Sequence, residues 1–152
     1  LNGGECSDEH LTGREIWLRN KYSTILHLCN SEKAISKGRF FDLMYVNYNN
    51  HTLNPHKQFV FLRSYGKETL LIAVNFAASS CDLQINIPQH AFDTLDMPVG
   101  DCVATDLLTS DTMRKSFSPD RPFTTYIGPY DAVVWKIKHK NVIPYDKKKN
   151  RS

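Results

Sequence analysis

At 152 residues, 41% hydrophobic and 23% charged, the chain is long enough to bury roughly two thirds of its unfolded surface as one domain, with no need of metal or disulfide. No apolar run approaches the roughly 20 residues that span a bilayer, so a soluble chain with no membrane partner is expected. The net charge of +3 is carried by Asp146, Lys147, Lys148, Lys149 and Arg151 near the C-terminal end, which leaves residues 1–145 without the basic stripe that a nucleic-acid binder needs.

Residues 1–13 are rich in Gly, Asn, Ser, Asp and Glu and read as a loop. The opening residue is Leu1, with no initiator Met and no charged segment followed by an apolar one, so a leader is expected to be absent or removed. Leu18, Tyr22, Ile25, Leu26 and Cys29 then recur at helical spacing and predict one amphipathic α-helix from about Arg14 to Cys29. Such a helix is not stable alone and must lay its stripe on a neighbour. Ser31 to Gly38 is a short connection.

From Gly38 onward the period is that of strands. Phe40–Val46, Gln58–Arg63, Thr69–Phe76, Cys81–Ile87, Asp101–Leu108, Pro122–Ile127 and Ala132–Lys138 are predicted as seven, with turn residues between them and a compact loop Ser64–Glu68. In Cys81–Ile87 the alternation is strict, with Leu83, Ile85 and Ile87 inward. In the last strand Val133, Trp135 and Ile137 share a face. The fold class is mainly β, an antiparallel Greek-key β-sandwich preceded by one amphipathic helix.

Two of these strands are apolar on both faces. Phe59 and Phe61 oppose Val60 and Leu62, and Leu70, Ile72, Val74 and Phe76 oppose Leu71 and Ala73. An antiparallel sheet with one wet face alternates with polar residues, so the second face is expected to be covered, in part by the helix at 14–29.

Dedicated chemistry does not assemble. Cys6, Cys29, Cys81 and Cys102 are too far apart for a C-x-x-C metal pair, and Cys29 and Cys102 read as small buried hydrophobes. The six histidines, His10, His27, His51, His56, His90 and His139, show no metal-ligand spacing, with His27 flanking the helical stripe. No nucleophile or phosphate-loop signature occurs, so no catalytic residue, metal or cofactor is expected. The sequons at Asn50 and Asn150 fit chance occurrence.

Order and spacing then carry a resemblance over about residues 14–138. Arg19–Leu26, Ala34–Leu43, Phe59–Gly66, Leu71–Phe76, Asp106–Thr109 and Pro129–Trp135 together resemble the end of the last barrel helix and the C-terminal β-sandwich of the α-amylase family, glycoside hydrolase family 13. Ser36 and the long stretch 47–57 depart from the family pattern. The resemblance implies a parent whose two catalytic carboxylates, about 5 Å apart, lie on a (β/α)₈ barrel of about 250 residues. Asp82, Asp101, Asp106 and Asp131 match none of those positions and read as turn or solvated carboxylates, and no calcium ligand set stands out.

The resemblance thus implies a piece of a larger glycosidase, with residues 1–37 closing a missing barrel, 38–140 forming the sandwich and 141–152 a basic tail. Its expected work is to shield the barrel's flank, the barrel being its partner. An alternative is a carbohydrate-binding module for an α-glucan, with Trp17, Tyr45, Tyr48 and Tyr126 as candidate stacking residues. A second is a free-standing immunoglobulin-like interaction domain.

Overall fold

Alternation along two neighbouring strands sets the architecture. In Gln58–Tyr65 (β2) Val60 and Leu62 are fully buried, and in Glu68–Asn75 (β3) Leu71 and Ala73 are. These four share one face because side chains alternate along a strand.

The structure, a computed structural model, describes residues 13–145, with the side chains of Arg14, Glu15, Trp17, Leu18, Lys21, Tyr22, Ile25 and Leu26 outside that description. The expected loop before Gly13, Cys6, His10, four members of the helical stripe, the basic tail and the Asn150 sequon therefore lie outside the described residues.

The elements run α1 (Gly13–Ser31), α2 (Lys33–Ser36), β1 (Arg39–Asp42), α3 (Met44–Asn47), β2, β3, β4 (Cys81–Ile85) and α4 (Gln89–Leu95). Then follow β5 (Gly100–Asp106), β6 (Thr112–Phe117), β7 (Phe123–Ile127), β8 (Ala132–Lys138) and β9 (Val142–Pro144). A seven-stranded antiparallel sheet is ordered β1-β2-β3-β8-β5-β6, with β9 also pairing β5, and β4 and β7 form a two-stranded sheet.

One core joins the two sheets. Leu83, Ile85, Phe123 and Ile127 from the small sheet share it with Leu62, Leu71, Phe117 and Trp135 from the large one. Trp135 meets Phe123 edge-on at 6.4 Å, and its indole N–H donates to the Thr125 hydroxyl across 2.9 Å, so the largest core side chain is fixed at its polar atom as well. The mainly β, antiparallel class expected from the sequence is what the chain adopts.

Several expectations change at the level of single elements. The strand expected over Phe40–Val46 stops at Asp42 and turns into α3. The Asp42 carboxylate accepts from the Met44 N–H at 2.8 Å, and the buried Asn47 amide donates to the Leu43 carbonyl, so side chains end the ladder that the apolar residues would extend. The hairpin loop contracts from Ser64–Glu68 to Gly66–Lys67, since Tyr65 and Glu68 pair. Gly66 has φ 60° at the first of the two turn positions, the pattern of a II′ turn.

Two strands and a helix escape the periodicity altogether. In β6 the sequence Thr112–Phe117 is mostly polar because the strand closes the sheet's edge, and only Lys115 and Phe117 are buried. The three residues of β9 and the seven of α4 are too short to display a period.

Candidate functional site

The outward face of the large sheet carries apolar residues from several strands. Strand register sets Phe61 beside Ile72 and Phe59 beside Val74 on β2 and β3, and Ile72 beside Val134 on β8. Phe40 of β1 extends the row, with the Phe40, Phe61 and Phe59 rings at successive centroid spacings of 5.3 Å. The doubly apolar strands read from the sequence therefore present a continuous second apolar face.

Half of that face is covered. Ala34 of α2 packs with Leu70 and Val134 in a small second core, supported by Ile35, Ile72, Leu107 and Leu108. Among the described residues this cover comes from α2, whereas Leu18, Tyr22, Ile25 and Leu26 of the long helix lie outside that description. The Leu28 and Cys29 end of α1 lines a groove of about 340 Å³ that runs over Phe61, Ile72 and Val74. Beyond that groove Phe59 is 38% and Phe40 51% exposed.

Two cations, Arg63 and Lys136, pin the helical corner to this face. Arg63 donates from Nε to the Ala34 carbonyl at 3.2 Å and from Nη2 to the Ile35 carbonyl, taking up carbonyls that the short helix leaves unpaired. Lys136 meets Glu32, which precedes α2, at 3.1 Å and Glu68 at 3.4 Å. Burial opposes the charge on Lys136, but the hydrogen bond to Glu32 and the two carboxylates outweigh it, and its pKa lies above the ordinary lysine value. Neither residue was singled out in the sequence, although a lone cation inside an apolar strand is a readable signal: such a charge needs a partner.

The close approach depends on Gly38. A Cβ there would stand 2.1 Å from the Ala34 carbonyl oxygen and 2.9 Å from that of Ser64.

The expected sugar-stacking residues do not gather. Tyr45 belongs to α3 and Tyr48 caps it, whereas Tyr126 stands on β7; they are 57%, 64% and 61% exposed, and no ring contact joins them. Trp17 lies in α1 with its side chain outside the described residues. Of the acidic residues, Asp106 is buried, not solvated. Its carboxylate accepts from the Leu108 and Val134 N–H groups and the Thr109 hydroxyl, organising the turn after β5.

Among the described residues no three His, Cys, Asp or Glu side chains gather as a metal site, and no helix is long and apolar enough to cross a membrane. His139 shares a 2.9 Å hydrogen bond with the Thr69 hydroxyl. That has the form of a base beside a nucleophile, but Thr69 is fully buried and its hydroxyl cannot reach a substrate.

No protein-family model and no curated protein matches the sequence. The fold is similar to part of an α-amylase from Anoxybacillus, with a TM-score of 0.56 and 18% identity over 91% of this chain. An α-amylase from Geobacillus thermoleovorans, solved with acarbose, gives 0.58 and 18% over 87%, and a maltogenic α-amylase from Thermotoga neapolitana gives 0.59 and 12% over 85%. The chain spans 24%, 25% and 27% of those three chains respectively. At such identities the likeness is one of fold.

Proposed function

We propose that this chain is a non-catalytic C-terminal accessory domain of an α-amylase-like glycoside hydrolase, a β-sandwich that stabilises the flank of a catalytic barrel in the same polypeptide. In this reading residues 1–37 complete the barrel's end, 38–140 form the sandwich and 141–152 a basic tail, and the parent acts on α-glucans. The half-covered outward face carries the proposal. Phe40, Phe59, Phe61, Ile72 and Val74 form an apolar strip beside a helical corner that is pinned in place, and such a contiguous strip marks a surface meant for a partner. The occupant favoured is the parent's own barrel, because the matched part is only 24% and 25% of the α-amylase chains with this fold.

Two measurements test it. Expressed alone, the chain is expected to self-associate in sedimentation velocity or to bind an apolar dye, and Phe40→Ser with Phe59→Ser is expected to abolish both. A monodisperse monomer without dye binding would overturn the docking role. Sequencing the gene upstream of Leu1 tests the parent: a barrel-length open frame with paired carboxylates supports it, and a start codon at Leu1 favours a free-standing immunoglobulin-like domain.

A further inference from the structure

Within the long stretch between α3 and β2, which departs from the family pattern, residues 47–52 lie along the outer edge of β4. Among the described residues β4 has a strand, β7, on one side only. An edge of this kind presents unpaired N–H and C=O groups and is a template for pairing with another chain.

Side chains occupy that edge instead. The Gln84 N–H donates to the Thr52 hydroxyl at 3.1 Å, and the Gln84 carbonyl accepts from the Asn50 amide. Two residues further on, the Asn86 N–H donates to Asn47 Oδ1 at 2.8 Å, and the Asn86 carbonyl accepts from Asn47 Nδ2 at 2.9 Å. Each of the two β4 residues thus gains one acceptor and one donor, as it would from a paired antiparallel strand.

The capping side chains also brace one another. Asn50 Nδ2 donates to Asn47 Oδ1 at 3.0 Å, while Asn50 Oδ1 accepts from the Thr52 hydroxyl at 2.7 Å and the Thr52 N–H at 3.0 Å. Together with the Asn47 bond to the Leu43 carbonyl, these contacts use every donor hydrogen and acceptor lone pair of both carboxamides. Leu43 and Leu53, buried in the main core, hold the two flanks of the segment.

Asn50-His51-Thr52 is at the same time an N-x-T sequon. N-linked attachment replaces one Nδ2 hydrogen by a bond to the sugar. Both of those hydrogens are committed here, one to Asn47 and one to the Gln84 carbonyl. A glycan on this atom breaks one of the two bonds and forces its bulk between the loop and β4.

We propose that residues 47–52 are a latch that keeps the β4 edge shut, and that Asn50 takes an N-linked glycan only while the latch is open. Thr52 couples the two states, because its hydroxyl is both the third position of the sequon and the acceptor for Gln84. The latch belongs to the small sheet and does not rest on the reading of the chain as an accessory domain.

Site-resolved amide exchange and an in vitro glycosylation assay test the proposal. In the unmodified chain the Gln84 and Asn86 amides are expected to be protected. Thr52→Ala is expected to speed exchange at Gln84 by about tenfold, with the amides of β2 and β3 unchanged, whereas Thr52→Ser retains the protection. A soluble asparagine glucosyltransferase supplied with UDP-glucose is expected to modify Asn50 in a synthetic peptide of residues 45–57 but not in the folded chain. Unprotected Gln84 in the unmodified chain, unchanged Gln84 exchange in Thr52→Ala, or equal modification of peptide and folded chain would overturn it. The glycosylation assay uses the unmodified chain, so it decides even where Thr52→Ala does not fold.

Discussion

Lys136 and Glu32, 104 residues apart in sequence, meet at 3.1 Å and are both mostly buried. This contact joins the helical corner at one end of the described chain to the strand near the other. Removing one partner leaves a poorly hydrated charge, so Lys136→Met is expected to destabilise the fold by about 1–3 kcal/mol in urea denaturation. The Glu32→Gln, Lys136→Met double variant is expected to recover part of that loss. A raised pKa in the folded state means stability that is fully present below the unfolded value near 10.5 and lost as pH rises through the folded one. The alkaline loss is therefore expected to shrink in Lys136→Met.

Arg63 holds α2 by a guanidinium fork that spans two carbonyls. A lysine has one point of donation and does not reproduce it. Arg63→Lys is expected to cost about 1–2 kcal/mol and to raise dye binding, because lifting Ala34 uncovers Leu70 and Val134. Dye fluorescence equal to that of the unmodified chain would show that α2 stays seated without the fork.

Gly38→Ala is expected to destabilise by about 1–3 kcal/mol in thermal unfolding, because its Cβ would collide with two backbone oxygens that cannot rotate away. An unchanged melting temperature would mean that α2 can shift off the sheet at little expense.

His139 has its pKa lowered, by burial first and by Lys67 second, with Asp96 and Glu68 acting against them. The folded state therefore holds the neutral ring. Its contribution is complete above the unfolded value near 6.5 and declines as pH falls from there toward the folded one. In denaturation at pH 7 and pH 5, the unmodified chain is expected to lose stability on acidification, and His139→Gln is expected to lose measurably less.

Cys102 is buried, and its thiol is pushed up to about 11 by burial, reinforced by the Asp101 carboxylate and offset in part by Lys115. The thiolate is the reactive form. At pH 8 in native buffer Cys102 is expected to resist iodoacetamide while the half-buried Cys29 reacts before it, as peptide mass mapping would show.

Strand periodicity revealed the mainly β fold and its inward residues, since burial on one face forces apolar side chains into every second position: Leu83, Ile85 and Ile87, and likewise Val133, Trp135 and Ile137, are buried as that rule requires. The apolar second face of β2 and β3 was legible for the same reason. What the sequence left open lay in side chains acting on distant backbone. Asp42 and Asn47 stop a strand that composition would prolong, and polar β6 is a strand because β5 offers it a ladder. Arg63 and Lys136 gain their importance from carbonyls and carboxylates far away in the chain. Apolar periodicity is a local consequence of burial and can be read from one segment. A buried cation's partner is chosen by how segments meet, and only the folded chain decides that.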